Sequence, residues 1–560
     1  MHIDLRRQSA MNKIKVGVLV DDIALPAWVN HMLGQIATEE GMEVALVVKY
    51  AYKQRPEKKI AAQAAPWLLS LWMALDKRLV KVGHDAFRTE PLVSTLPGIP
   101  TLNVEVESRE CGDHLDARDL ANIAAYGITV FLRLGSLRPC GEIFDTASCG
   151  IWSYRHGDEV VERDGPVGVW DILLDRTTTA SALQFQTRAG ERPHTLQRSW
   201  SMTYPVSIHR NRSHCYWKTL SFAPRRLREL RQIGEENFRL KYTKADTPPA
   251  FYSGEKIAEP TSGSYGKFIG QLLARTVARK ASGLRKFEQW MLLYHFGENG
   301  HLPDRLFEFR QLVPPKDRFW ADPFVVERHG EYAVFLEELE YSKNRGHLSV
   351  IRFDANDQPI LPPVKILERP YHLSYPFMLE EDGELYMIPE TNESKAIEIY
   401  RCTRFPEQWE HVMNLMDDVM AVDTTIWRHD GKYWLFACMR ENEHAPLSDE
   451  LFLFWSDSLL TQDWHPHPCN PIVSDIRTAR PAGNIFEHRG QWYRPAQDCS
   501  GKYGRALSFQ RIDVIDETTY KETPASRIEA NWDASIDRVH TFNRAGRLTL
   551  IDGMKTRGKL

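Results

Sequence analysis

Residues 321–335 read ADPFVVERHGEYAVF, an apolar run, a glycine turn and a second apolar run, and the chain repeats this phrase four more times. The later copies are SYPFMLEEDGELYMI (374–388), VDTTIWRHDGKYWLF (422–436), PAGNIFEHRGQWYRP (481–495) and DRVHTFNRAGRLTLID (537–552). Their glycines are Gly330, Gly383, Gly431, Gly490 and Gly546, about 50 residues apart. A unit of that length with several strands cannot bury its faces alone, but five stacked around a ring can, which predicts a five-bladed β-propeller. The inner strands of all blades then meet at one axis, so the repeat also predicts where a site lies.

Upstream of the first copy, WMLLYHFG (290–297) has strand character. It is expected to pair with the last copy, around 538–552, so that the ring closes and no sheet edge is left exposed. Before it, a basic amphipathic helix is predicted from Lys267 to about Leu292, carrying Arg275, Arg279, Lys280, Arg285 and Lys286. Residues 267–292 suit either peripheral contact with an anionic membrane or a solvated face between domains. Residues 225–239 read as charged helix, and the stretch after them is turn-rich linker.

The N-terminal part alternates differently. KIKVGVLV (13–20), MEVALVVKY (42–50), TLNVEVE (101–107) and ITVFLRLG (128–135) are buried-type strands, with helical periodicity over 26–40 and 117–125 between them. That order predicts a doubly wound, mostly parallel α/β domain. No GxGxxG follows the first strand, so a dinucleotide fingerprint is absent. The expected domains are 12–222 (α/β), 223–289 (helical and turn-rich linker) and 290–560 (propeller).

Bulk properties narrow the function classes. A chain of 560 residues exceeds one core, and 42% hydrophobic with 26% charged residues is ordinary globular composition. A net charge of −4 gives no electrostatic case for nucleic acid. The 8 cysteines form no CxxC pair, which favours reduced thiols over disulfides or a metal site. No signal-peptide pattern is evident, and the apolar run from Ala64 to Leu75 is too short to span a bilayer. A cytoplasmic protein, possibly peripheral to the inner face of the membrane, is expected.

The repeat register places individual residues. Eight positions before the glycines stand Asp322, Tyr375, Asp423, Ala482 and Arg538; seven after stand Glu337, Glu390, Cys438, Gln497 and Gly553. In a hairpin these two sets lie at the same end. Asp322, Glu390 and Asp423 are therefore the candidate catalytic residues at one opening, with Glu338, Tyr375, Arg480, Asp498 and His540 as candidate substrate contacts. Acids from several blades suit glycoside chemistry, in which one carboxylate stabilises or attacks an oxocarbenium-like centre and another, of raised pKa, protonates the leaving oxygen. The same set suits recognition of sugar hydroxyls, or a divalent cation held by oxygen ligands.

WADPF, HLSYPF, YMIPET, DTTIW, ARPAG and RPAQDC together resemble the propeller domain at the N-terminus of plant glucosamine inositolphosphorylceramide transferases and related bacterial proteins, over about 300–555. More distantly, the ADP blade opening resembles five-bladed furanosidase-type glycoside hydrolases, which implies a base or nucleophile role for Asp322. Tyr375 stands where those enzymes carry a second Asp, and their general acid has no clear counterpart beyond Glu390 or Asp423.

The stretch GIWSYRHGDEVVERDGPVGVWDILLDRTTTASALQ (150–184) resembles the formyltransferase fold of methionyl-tRNA and sugar-amine formyltransferases. Their Asn-x-His pair falls on Ser153-Tyr154-Arg155, and their Asp falls near Arg188-Ala189-Gly190, where no acid stands. An always-protonated Arg cannot replace a general base, so the expectation is a degenerate domain that has lost formyl transfer and binds a ligand or shapes the propeller's substrate, the alternative being that His156 and Asp158 take over the roles. The leading expectation is a carbohydrate-active protein of glycan or glycolipid biosynthesis, acting at the propeller axis on a sugar or glycolipid. The alternatives are a 10-formyltetrahydrofolate-dependent N-formyltransferase acting on an amino sugar, and a non-catalytic glycan-binding scaffold.

Overall fold

Alternating strands and helices over the first 202 residues build one eight-stranded sheet. Its order is His194–Met202, Thr178–Gln186, Ile151–His156, Val130–Arg133, Ile14–Val20, Met42–Tyr52, Thr101–Arg109 and Gly112–Leu115. The computed structural model describes residues 13–53, 67–157, 167–243, 262–298 and 305–559. The chain divides into two units, 1–273 with 442–445, and 274–441 with 446–560.

In the first unit the central strands pair in parallel, and the hairpins at both edges are antiparallel. Strand Ile14–Val20 explains the continuous apolar run of its sequence. Val16, Val18 and Val20 pack with Met32, Leu33 and Leu227 on one face, while Leu19 packs with Ile123 and Phe131 on the other. A parallel sheet covered on both faces needs apolar residues at every position. Asp116 caps helix Ala117–Ala124 by accepting from the Asp119 N–H. Helices Phe222–Ile233 and Glu235–Thr243, which the sequence suggests as linker, bury Leu227, Leu230 and Phe238 in this unit's core.

The second unit holds five four-stranded sheets, the five blades. Blade one spans Arg318–Leu367, blade two Ser374–Asp417, blade three Ala421–Pro466 and blade four Phe486–Glu529. Blade five combines Phe542–Ala545 and Leu548–Gly558 with Lys286–Phe296 and Arg310–Leu312. The expected closure is present: Lys286 through Phe296 pairs antiparallel with Gly558 through Leu548. This pairing also corrects the helix expected to reach Leu292. Helix Ser262–Arg285 stops at the residue before the closing strand, because the ladder to Leu548–Gly558 claims the backbone from Lys286 onward. Among the described residues no helix is long and apolar enough to cross a membrane.

Four blades turn through two-residue loops in which both central residues have positive φ: His329–Gly330, Asp382–Gly383, Asp430–Gly431 and Arg489–Gly490. That is type I′ geometry, whose twist matches the strands. Blade five instead turns at Gly546–Arg547 with positive φ at Gly546 alone, so glycine occupies the first central position, as in a type II′ turn. Its frame is thus shifted by one residue, and Val539 rather than Arg538 is the counterpart of Asp322.

Closure is an energetic as well as a topological link. Leu292 of the closing strand is 1% exposed and packs with Trp320, Val325 and Leu336 of blade one. Leu292→Ala should lower the stability of the propeller by about 2–5 kcal/mol, read as a lower urea midpoint of its unfolding transition. An unchanged midpoint would show that closure does not depend on this contact.

Candidate active site at one end of the propeller axis

Each of the first three blades carries the same irregularity in its inner strand. Register slips between Ala321 and Phe324, between Ser374 and Phe377, and between Val422 and Thr425, so that two residues oppose one. These are β-bulges, which re-aim a side chain. The first bulged residue is Asp322, Tyr375 or Asp423, with φ of 49°, 43° and 52°. Such values are uncommon for any non-glycine residue and an outlier for a bulky one. Pro323 and Pro376 follow in two of the bulges, where the missing N–H costs no ladder bond. All three bulged side chains are buried.

Around Asp322 the partners come from blade five. Its backbone N–H donates to Asp552 Oδ2 at 3.0 Å, and Thr541 Oγ1 donates to its carboxylate at 2.8 Å. His540 Nδ1 lies 2.5 Å from Asp552 Oδ2, and its Nε2 lies 3.8 Å from Asp322 Oδ1. Trp290 of the closing strand stacks on the His540 ring at 4.0 Å. Burial, opposed by His540 and reinforced by Glu337, Asp423 and Asp552, pushes Asp322 up to about 7. His540 rises to about 9, because Asp552 and Asp322 outweigh the burial that opposes its charge.

Around Asp423 the partners come from blade four and the loop before it. Arg480 Nε donates to Asp423 Oδ2 at 2.5 Å and Nη2 to Oδ1 at 3.2 Å, and Gln497 Nε2 adds a third bond at 2.9 Å. Arg480 Nη2 also reaches Glu390 Oε2 at 3.4 Å, and its guanidinium sits 5.1 Å from the Tyr503 ring centroid. Burial, with Asp423 beside it, raises Glu390 well above the usual carboxylate range in spite of Arg480. Tyr375 Oη spans the axis, accepting from the Gly483 N–H at 2.8 Å and pairing with Thr425 Oγ1 at 2.9 Å.

The structure therefore brings Asp322, Glu390, Asp423, Tyr375, Arg480 and His540 into one cluster. It does not bring Glu338 or Asp498 there. Glu338 faces into blade one, bonded to Arg318, Trp320 and Ser349 and 3.3 Å from His347, and these donors hold its carboxyl at about 2 despite burial. Glu337, on the opposite face of the same strand, is the residue beside Asp322, and it pairs with His372 Nε2 at 3.1 Å. Asp498 is likewise taken by Arg527 at 2.5 Å, while its neighbour Gln497 faces Asp423. Tyr503 and Trp290 carried no signal in the repeat register.

A cavity of about 370 Å³, lined by Phe377, Glu380, Trp427, Arg428, Trp492 and Phe542, lies farther along the same inner strands, toward the hairpin turns. From Tyr375 to Leu379 is four residues, ~13 Å of strand. That opening is distinct from the acid cluster and holds none of its titrating groups.

In the first unit, His156 is half-buried at the end of strand Ile151–His156. Its ring stacks on Tyr216 at 3.9 Å, Nδ1 contacts Ser181 Oγ at 3.1 Å, and Nε2 is buried without a hydrogen-bond partner. Burial, with Arg212 nearby, lowers its pKa to about 3. A ring held neutral down to about 3 is poorly suited to take up a proton near neutrality. Asp158 lies outside the described residues.

Residues 313–546 match a family described as glucosamine inositolphosphorylceramide transferase 1, N-terminal. Proteins named glucosamine inositolphosphorylceramide transferase 1 are 34% identical over 212 residues in Oryza sativa subsp. japonica and 32% over 206 residues in Arabidopsis thaliana. These alignments cover 37% and 36% of this chain, and the chain spans only 28% and 27% of those relatives. Among solved structures, a family 117 glycoside hydrolase from Zobellia galactanivorans superposes with a TM-score of 0.32 at 12% identity, over 48% of this chain and 90% of that one.

The cluster makes the propeller's stability depend on pH. The fold favours protonated Asp322, a contribution complete below 3.8 and lost as pH rises through about 7. It also favours protonated His540, complete below 6.5 and lost through about 9. The urea midpoint should therefore fall as pH rises across both windows, and His540→Gln should flatten the upper one. Equal slopes in the wild type and the variant would contradict this assignment.

Proposed function

We propose that the acid end of the propeller axis is a carbohydrate site that transfers a glycosyl group in glycolipid assembly. The observation that carries this reading is the placement of Glu390, whose carboxyl burial and Asp423 push well above the usual range, beside the Asp423–Arg480 ion pair in one mouth. Two carboxyl groups whose environments differ in this way divide into acid and charge-stabilising roles. Glu390 gives its proton to the departing glycosidic oxygen as the anomeric C–O bond breaks. Asp423 stabilises the positive charge that develops at the anomeric carbon. Asp322, titrating near neutrality, accepts the proton of the incoming hydroxyl as the new C–O bond forms. Tyr503 and Trp290 supply flat apolar faces beside these groups on which a sugar ring can rest.

The names of the matched plant proteins suggest the substrates to try, an activated glucosamine donor and an inositolphosphorylceramide acceptor. A second reading, glycan binding without turnover, has its own support. Arg480 already engages both acids, and the matched family region is described as an N-terminal part of those relatives.

One experiment separates the two. The full chain is incubated with donor and acceptor, product is followed by mass spectrometry, and headgroup binding is followed by calorimetry. Glu390→Gln and Asp322→Asn should each cut turnover by about 10²–10⁴-fold while binding persists. Binding by the wild type with no product would select the second reading, and full activity in both variants would remove the acids from the chemistry.

A further inference from the structure

In the first unit, far in sequence from the propeller, the sheet edge gathers three side chains that the chemistry above does not use. The hairpin joining Thr101–Arg109 to Gly112–Leu115 carries Cys111 in its turn and His114 on the returning strand, with Cys111 Sγ 3.1 Å from His114 Nε2. Cys140 arrives from the loop that leads into the short helix Gly141–Thr146. The Sγ, Nε2 or Nδ1 and Sγ atoms of the three residues all lie within 4.8 Å of one another. Cys111 is exposed, Cys140 is buried, and both are free thiols.

The two segments are fastened together independently of these side chains. The Asp113 N–H donates to the Arg138 carbonyl at 2.7 Å, and the Cys140 N–H donates to the Asp113 carbonyl at 3.3 Å. The Asp113 carboxylate, itself 1% exposed, accepts from the Arg138 N–H at 2.8 Å and from Tyr52 Oη at 3.1 Å, and is bonded to Ser108 Oγ. Gly112, with φ of 146°, makes the approach possible. A Cβ there would lie 2.6 Å from the Arg138 carbonyl oxygen and 2.8 Å from Cys140 Cβ.

We propose that Cys111, His114 and Cys140 form a zinc site that clips the edge hairpin to the 138–141 loop. Tetrahedral zinc, with Zn–S about 2.3 Å and Zn–N about 2.0–2.1 Å, places its ligand atoms roughly 3.3–3.8 Å apart. Small side-chain rotations bring the three observed atoms to that spacing. Two thiolates and an imidazole select zinc over the hard cations magnesium and calcium. On binding, both thiols release their protons to solvent, and His114 ligates as the neutral imidazole. The fourth tetrahedral position is left to water or a small anionic ligand.

The test uses the full chain, reduced, stripped with a chelator and then titrated with cobalt(II). Cobalt reports thiolate ligation by charge-transfer absorption and tetrahedral geometry by intense d–d bands. About one cobalt per chain should bind and be displaced by zinc. Cys111→Ser, at an exposed position that leaves the packing intact, and His114→Ala should each weaken binding by about tenfold or more. Zinc should raise the melting temperature of the stripped wild type and not of the variants. Cobalt absorption without charge transfer, or a spectrum that persists unchanged in Cys111→Ser, would overturn the proposal. So would a Cys111–Cys140 disulfide in the protein as isolated, if the reduced protein then takes up no metal.

Discussion

The fully buried carboxylate of Asp552 joins ring closure to the site. It stands on the closing strand pair, opposite Leu292, and accepts from the backbone N–H groups of Asp322, His540 and Thr541 as well as lying against His540 Nδ1. A buried carboxylate with this many donors is stable only while all of them stay in place, since each donor left without it would pay its full desolvation penalty. The blade-one bulge that aims Asp322, the orientation of the His540 ring and the seating of the last blade are thus held by one group. Asn543 extends the link by donating to the Pro323 carbonyl inside the same bulge at 2.8 Å. The Asp322 side of the mouth is thus tied to the closed ring.

The three bulges carry a conformational cost of about 1–3 kcal/mol each, most evident for Tyr375, whose bulk makes a left-handed backbone unfavourable. Hydrogen bonds offset it. Tyr375 Oη reaches blade three at Thr425 and the Gly483 N–H ahead of blade four, so its strained backbone positions a strut between neighbouring blades. Asp322 and Asp423 tolerate the same backbone more readily, as short acidic side chains do. Regular strands would alternate these residues into the blade faces. The bulge turns them toward the axis instead, and so strain at three equivalent positions becomes convergence at one point.

Much of this was readable in advance because it rests on local rules that recur at fixed spacing. Glycine at the second position of a type I′ turn marks four hairpins, and the bulged residue keeps a constant distance from it, so the register locates Asp322 and Asp423 at one end of the inner strands. Where the rule changed, the reading slipped. The glycine of blade five sits at the first turn position, which displaced its frame by one residue. Strand parity was the second limit: Glu337 and Glu338 differ by one position and face opposite sides of the sheet, and repeat spacing alone does not say which faces the axis. The same holds for Gln497 and Asp498. Long-range side-chain partners were the third limit, even where the strand pairing that joins them is legible. Trp290 reaches His540 through closure, Tyr503 comes from a loop, and Cys111 meets Cys140 only after the sheet has formed.

Charge balance at the mouth connects its architecture to the chemistry proposed for it. Asp322, Glu337, Glu390, Asp423 and Asp552 converge there against the fixed cation of Arg480 and the imidazolium of His540, with His372 beside Glu337. Buried acids in excess of their cations cannot all ionise, because like charges in a weakly screened setting repel strongly. The surplus is met by protons, and burial assigns them to Glu390 and in part to Asp322. The transfer proposed above needs one carboxyl that holds a proton to give and one carboxylate free to accept, and Glu390, raised well above the usual range, suits the first role while Asp322, which loses its proton through about 7, suits the second. For the carbohydrate site proposed above, the same surplus implies a ranking of ligands: an anionic sugar would add to the repulsion, a neutral one would exchange hydroxyl bonds with the carboxylates, and the ammonium of an amino sugar would relieve it.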